Sequence, residues 1–416
     1  MDRGATRTVD AWLRQGARNG PAVIILGGTF NALSFARSLG RRGIPLLMAE
    51  SERFLGTYTR YGTVVMLPAV GESAPRWIEL LELVGSRLDR PGVLLPTSDV
   101  LNLLVSHHRV ALQRYFRFVL PDPRTLGQIV DKRSQYGIAE AAGIPVPRSH
   151  FPGSIDEVKD LSERIAYPCL LKPYRSHDAR KHLDQKVIVA RAASELIARY
   201  AEIDTGELPL MVQEVVPGGD GALFGYLALW DANGRELAWV TKRKLRQFPP
   251  QYGDGSLQVT VEAPEVVELS RRLLRAFDYR GFVGVEFKRD DRDGAYRLME
   301  INARAVSGNQ LAVSAGVDFA WLAYQSLTGV ELEAGPERRF RVGVTYVNEE
   351  WDVQAFVALR RAGAMTLGSW LRSLRGVEAR ALGAWDDPLP LIVGVVRLLR
   401  KLVAGAWSVA RGLIDR

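Results

Sequence analysis

The sequence predicts three parts in order: an α/β domain, an α+β domain and a mostly helical C-terminal region. Three observations carry this. The run Pro21-Ala-Val-Ile-Ile-Leu-Gly-Gly28 is apolar and ends in glycines, and a helical pattern from Asn31 to Leu39 and a second apolar run from Ile44 to Met48 follow it. Strand, glycine turn, helix and strand make one βαβ unit. Between Tyr167 and Asn302 short apolar runs recur, most of them bounded by polar or Pro-Gly turns. From about Glu331 the pattern turns helical. The 416 residues exceed what one compact core usually holds, so two or three domains are expected.

The elements follow in order. Residues 1–20 are polar and Arg-rich and are expected to be flexible. In the α/β part, Gly92-Val-Leu-Leu-Pro96 is a further strand, and Asp99 is placed to cap the helix that runs towards Val110. After the turn Pro121-Asp-Pro123, a helix from Ser134 to Ala142 stops at Gly143. Tyr167-Pro-Cys-Leu-Leu-Lys-Pro173 is a short strand with a lysine near its end, Val187 to Ala190 is another, and Ser194 can cap the next helix. Leu210 to Val216 is a strand broken by Pro217-Gly-Gly219. Leu223 to Leu229 and Glu236 to Thr241 form an antiparallel pair around Asp231-Ala-Asn-Gly234. A helix over 264–277 precedes two late strands, Gly281 to Lys288 and Tyr296 to Asn302.

Composition excludes several classes. Hydrophobic residues at 47% and charged residues at 25% fit a soluble globular protein. The single cysteine, Cys169, rules out an intramolecular disulfide, and a cytoplasmic location fits. No apolar h-region opens the chain, and no run of uncharged residues is long enough to span a bilayer. The net charge is +8, and residues 353–416 hold ten basic against four acidic residues, a net of +6. No basic and aromatic module for nucleic acid accompanies this bias, so an anionic ligand or membrane surface accounts for it more simply.

The late hairpin carries the strongest chemical signal. Gly284-Val-Glu286-Phe-Lys288 and Leu298-Met-Glu300-Ile-Asn302-Ala-Arg304 each place a carboxylate in an apolar strand. Two such groups on paired strands repel unless a cation lies between them. Two carboxylates and an Asn amide offer the oxygen ligands that Mg²⁺ takes, with phosphate oxygens completing the shell. The alternative is a structural network in which Glu286 and Glu300 pair with Lys288 and Arg304. Lys172, at the end of an apolar strand, and Lys132, after Asp131, call for anions nearby, or else are surface lysines with buried stems. Gln213-Glu214, before a Pro-Gly turn, exposes backbone groups that can read a base edge. The histidines at 107, 108, 150, 177 and 182 show no metal spacing.

Taken together, lysine, strand lysine, Gln-Glu strand end, antiparallel sheet and the Glu…Glu-x-Asn-x-Arg hairpin resemble the ATP-grasp superfamily over roughly Leu120 to Val330. Tyr167 to Pro173, Gln213 to Gly219, Lys242-Arg-Lys-Leu-Arg246 and the hairpin look most like its carboxylate–amine ligases, the D-aspartate ligase-like group. The resemblance implies a Rossmann-like pre-ATP-grasp domain over 21–120, a two-lobed ATP-grasp fold over 121–330 with a lid at about 150–217, and a helical region over 331–416. It implies that Lys132 and Lys172 hold the α- and β-phosphates of ATP and that Gln213, Glu214, Val215 and Val216 meet adenine. Glu286, Glu300 and Asn302 would bind Mg²⁺ or Mn²⁺. Arg304 would steady the γ-phosphate, and Lys242 or Arg243 would approach the phosphates or the substrate carboxylate. The activity implied is amide formation from a small carboxylate and an amine-bearing acceptor through an acyl phosphate. One departure is the lid segment from Tyr174 to Lys186, which has no glycine; Arg175, Arg180, Lys181 and Lys186 would clamp phosphates by charge.

Two other functions stay open at this point. One is an oxidoreductase on a dinucleotide at Gly27-Gly28, although the turn lacks the full G-x-G-x-x-G pattern. The other is a degenerate ATP-grasp module serving membrane-peripheral interaction. A homodimer is compatible with the ligase reading and with both of these. Leu391 to Ile414 is apolar with few charges, and Arg397, Arg400, Lys401 and Arg411 fall on one helical stripe. That helix either docks its apolar side on protein or lies in an anionic membrane interface.

Overall fold

The computed structural model describes residues 3–14, 21–174, 187–203, 208–332 and 340–400. Strands β1 (Val23–Leu26), β2 (Leu46–Glu50), β3 (Thr63–Met66), β4 (Gly92–Pro96) and β5 (Phe116–Arg117) form a parallel sheet in the order β3-β2-β1-β4-β5. Parallel sheets need cover on both faces, and alternate residues of β1 supply it. Val23 and Ile25 join Phe35 and Leu39 of helix Phe30–Gly40, while Ile24 and Leu26 join Trp77 and Leu80 of helix Val70–Gly85. Strand order reverses between β1 and β4, which opens a crevice at their carboxyl ends. Gly27 stands there at φ +116°, and a Cβ on it would lie 2.0 Å from Thr97 Oγ1, so only glycine fits.

Two expectations for this part are corrected. The N-terminus is not all flexible: helix Arg3–Trp12 packs on this domain because Ala5, Val9 and Trp12 recur at helical spacing and are buried together. The cap of helix Asp99–His107 is Ser98, which accepts from the Leu101 amide. Asp99 is therefore the first helical residue, and its carboxylate is directed elsewhere.

A small sheet follows: β6 (Ser149–His150), β7 (Cys169–Pro173), β8 (Ile188–Ala190) and β9 (Leu210–Glu214), ordered β6-β9-β7-β8 and antiparallel at every pairing. Helices Ile155–Ser162 and Ala193–Ile203 close its core over Cys169, Leu171, Ala190, Leu196 and Val212. Ser194 lies inside the second helix rather than capping it.

The large sheet holds β10 (Leu223–Trp230), β11 (Glu236–Phe248), β12 (Asp254–Thr260), β13 (Gly281–Arg289), β14 (Tyr296–Asn302), β15 (Thr345–Val347) and β16 (Ala379–Arg380), in the order β14-β13-β10-β11-β12-β15-β16. Its alternating residues divide two duties. Tyr226, Ala228, Val283 and Val285 pack under helix Pro264–Ala276, whose Val266, Leu273 and Leu274 face them. Leu227, Leu229 and Val240 turn the other way and share a core with Phe35 of the first domain. Further along that second face the apolar residues give way to Gly225, Lys242 and Glu286.

Strand β11 runs on to Phe248 and pairs with β12, which the sequence pattern did not announce. The region after residue 331 is helical at Glu349–Arg361, Leu367–Ser373 and 389–400, but it also gives β15 and β16 to the sheet edge. It is pinned to the first domain by a buried pair: Arg37 Nε donates to Asp387 at 2.9 Å, and Asp387 also accepts from Thr59 Oγ1 and the Arg60 amide. Removing one partner of such a pair typically costs about 3–5 kcal/mol. Among the described residues no helix is long and apolar enough to cross a membrane.

Candidate functional site

The site is built on one row of residues across the large sheet. Lys242 on β11 pairs with Gly225 on β10, Gly225 with Glu286 on β13, and Glu286 with Glu300 on β14. Residues opposite one another in an antiparallel sheet share a face, so all four positions look the same way. Asn302, two residues past Glu300 and opposite Gly284, is on that face too. A register shift follows the Glu286–Glu300 pair, and the Met299 carbonyl left there accepts from Tyr136 Oη at 3.0 Å.

Gly225 leaves a trough in the row, and Lys242 lies in it. A Cβ at Gly225 would come 2.9 Å from Lys242 Cε. The Lys242 ammonium donates to Gln258 Oε1 from β12. Burial pushes its pKa from 10.5 down to about 8, partly offset by Glu286. Lys244, one period further on the same strand face, donates to Glu286 Oε1 at 2.7 Å and to the Gly253 carbonyl at 3.1 Å. Arg243 falls between them in a period-two strand and points to the opposite face, where its partner in register is Phe224. The structure therefore brings Lys242 to the carboxylates and leaves Arg243 apart from them.

Lys132 and Lys172 arrive from other elements. Lys132 opens helix Lys132–Ala141, which Asp131 caps through the Ser134 amide; its ammonium is 3.5 Å from Glu300 Oε1 and donates to Gln135. Lys172, near the end of β7, donates to Gln213 Oε1 at 2.8 Å. Burial pushes its pKa down, and Lys132 adds to that. The Gln213 side chain is fully buried behind Lys172, with its amide nitrogen donating to Ser149 and Tyr136. Gln213 thus holds the lysine, and its side chain is not presented to a base.

Glu214 accepts from the Arg148 amide at 2.9 Å and from Arg292 at 3.0 Å. Burial opposes its charge, but those hydrogen bonds outweigh it and hold the carboxyl below its usual range. Val215 and Val216 follow, half-buried and buried, on the segment that leads from the small sheet to the large one.

Each carboxylate has a lysine partner from another element. Glu286 meets Lys244 and Glu300 meets Lys132. Lys288 follows on the same face of an unbroken strand, and its neighbouring charges are Asp220, Asp290 and Asp291. Arg304 donates to Asn302 Oδ1 at 3.0 Å and to Asp99 Oδ1 at 3.1 Å. Asp99 stands at the crevice of the parallel sheet, so this pair joins the first domain to the hairpin. Glu286 and Glu300 are not deeply buried, their side chains being 25% and 39% exposed.

Lys132, Lys242 and Lys244 are each buried, and with Lys172 they outnumber the nearby carboxylates Glu286, Glu300 and Asp254. Desolvated ammonium groups are costly without counter-charge, so the excess suits an anion with several oxygens. Among the described residues no three His, Cys, Asp or Glu side chains form a metal cluster. A divalent ion here would have two carboxylates and an amide, all hard oxygen donors, with its other positions left to water or phosphate oxygens; that set fits Mg²⁺. The lid residues Arg175, Arg180, Lys181 and Lys186 lie outside the described residues.

Sequence reasoning missed Lys244, Gln258, Gly225 and Asp99 as parts of the site. Lys242-x-Lys244 on one strand carried a signal for the first, since alternate residues share a face; the others depend on pairings across the chain. The glycine turn at residues 27–28 is closely packed. A Cβ at Gly28 would lie 2.5 Å from Thr57 Cγ2, and Gly56 packs on the Gly28 carbonyl, so protein fills the space next to the turn.

A family model described as "ATP-grasp in the biosynthetic pathway with Ter operon" matches residues 225–350, which span Gly225 to the start of helix Glu349–Arg361. The D-aspartate ligase of Enterococcus faecium (strain Aus0004) is 25% identical over 299 residues, covering 68% of this chain and 70% of the ligase. Among solved structures, an L-amino acid ligase from Bacillus licheniformis superposes with a TM-score of 0.60 at 15% identity, covering 78% of each chain. The biotin carboxylase domain of Hydrogenobacter thermophilus 2-oxoglutarate carboxylase, a dimer in complex with MgADP, ADP and bicarbonate, gives a TM-score of 0.62 at 16% identity over 78% of this chain and 73% of that one.

Proposed function

We propose that the chain carries an ATP-grasp domain and is an ATP-dependent carboxylate–amine ligase that works through an acyl phosphate. The observation that carries this is the row Lys242–Gly225–Glu286–Glu300, with Lys132, Lys172 and Lys244 converging on it. It offers oxygen donors for a divalent ion beside a surplus of buried ammonium groups, the two requirements of a polyphosphate. The similarity to D-aspartate ligase supports a carboxylate as the activated group.

In this scheme Lys132 and Lys172 hold the α- and β-phosphates of ATP, and the backbone of 214–216 meets adenine. Glu286, Glu300 and Asn302 hold Mg²⁺, or Mn²⁺ in its place, which supplies charge neutralisation on the phosphate oxygens. The substrate carboxylate attacks the γ-phosphorus, forming an acyl phosphate as the bond to ADP breaks. The amine of the acceptor then attacks the acyl carbon; inorganic phosphate leaves, and the amine proton passes to solvent. Lys242 and Arg304 lower the barrier by facing the oxygens on which charge accumulates, so catalysis is positioning and electrostatics. Asp99 fixes the Arg304 fork at the crevice of the parallel sheet, which places the acyl group between the two domains. Such a reaction draws on cytoplasmic ATP.

The test is phosphate release from ATP against a panel of carboxylic acids, each with and without amines. Release that needs both partners supports the assignment. Release indifferent to every acid refutes it.

A further inference from the structure

Helix 389–400 turns an apolar face to solvent. It is seated on the protein by Gly394, where a Cβ would lie 3.0 Å from Leu382 Cδ1, by half-buried Leu391 and Val393, and by Arg397, which donates to the Arg53 carbonyl and sits 5.6 Å over the Tyr58 ring. Leu389, Ile392, Val395, Val396 and Leu399 are all between 43% and 56% exposed. At about 100° per residue they fill one arc of roughly 120°, opposite the seated side. The helix thus docks, but by a different side from its largest apolar one. Trp385, just before it, is 94% exposed.

We propose that this face lies on an anionic lipid surface. Charge selects that occupant over a second copy of the chain. Arg53, Arg60 and Arg400 are exposed around the helix, with Glu52 the exposed acid in the same loop as Arg53. Asp386 and Asp387, just before the helix, are committed to Arg41 and Arg37. Two copies meeting here would bring like charges together, whereas an anionic bilayer complements them. A helix in the interface plane buries an apolar arc beside a cationic flank, and an exposed Trp suits the headgroup level. None of the residues placed at the ligase site belongs to this face.

The experiment is flotation of the full chain with phosphatidylcholine vesicles, with and without phosphatidylglycerol. The chain is expected to float with the anionic vesicles at low salt and to be released at high salt. Ile392→Asp/Leu399→Asp, both on the solvent side, should cut the bound fraction by about tenfold or more with an unchanged thermal transition. Val395→Ser/Val396→Ser provides a milder version and carries the test if the first variant fails to fold. Failure of the parent chain to float, or equal flotation of the variants, overturns the proposal. So does a parent that sediments as a dimer without binding vesicles while the variants sediment as monomers, which would assign the face to self-association.

Discussion

Replacing Gly225 by alanine is expected to damage the protein, against the usual sign of the change. Gly225 has ordinary strand backbone, outside the glycines with positive φ. In a strand, Gly to Ala normally stabilises by about 0.5–1 kcal/mol. Here the new methyl would sit 2.9 Å from Lys242 Cε and 3.2 Å from Cγ. Lys242 has little room to yield: its ammonium is tied to Gln258, and a Cβ at Gly308 would already be only 3.0 Å from Nζ. Overpacking costs about 1–3 kcal/mol, and losing a hydrogen bond to a charged group about 1.5–3 kcal/mol. Urea unfolding should show a loss of about 1–3 kcal/mol, and kcat/KM for ATP should fall by about tenfold or more. Adding Lys242→Ala should recover the stability, because it removes the colliding chain, and a double-mutant cycle reads that coupling. A Gly225→Ala protein as stable and active as the parent, or no coupling in the cycle, would refute the trough.

Three further outcomes follow from the same geometry. Glu300→Gln keeps volume but removes a charge from the proposed ion site, so turnover should be lost with the thermal transition intact; near-normal turnover would dismiss the metal role. Lys172→Ala should weaken ATP binding measured by calorimetry by about tenfold or more, whereas unchanged affinity would return Lys172 to a support for Gln213. Burial takes the Lys242 pKa from 10.5 to about 8, so between those values the unfolded chain holds the extra proton. The penalty is therefore full below about pH 8 and fades as pH rises towards 10.5, a gain of about 3 kcal/mol. Stability of the parent minus that of Lys242→Met, followed by urea unfolding across this window, should rise with pH; a flat difference would contradict the burial.

The hairpin was the most legible part of the chain because its two constraints coincide. Polar residues that interrupt apolar strands at 286, 300 and 302 had to share a face once the strands paired, and the register places Glu286 opposite Glu300. The βαβ opening was legible for a similar reason, since glycine at 27 answers a backbone demand. What escaped were contacts between segments far apart in sequence. Nothing near Asp99 announces Arg304, some two hundred residues on, and a local cap looked sufficient until Ser98 took that role. The resemblance made Gln213 a base contact, whereas in the fold its side chain is enclosed by Tyr136 and Ser149. Lys242 and Arg243 were equal candidates in sequence, and only the pairing with Gly225 assigned each a face.

The central claim is that a carboxylate of the substrate, not water, takes the γ-phosphoryl group. Carboxylic acids labelled with ¹⁸O in the carboxylate test it directly, with mass analysis of the phosphate released in the presence of ATP, Mg²⁺ and an amine. Transfer through an acyl phosphate leaves one labelled oxygen in each phosphate formed. Phosphate released at a comparable rate without label would show that water attacked the nucleotide, and would contradict the account.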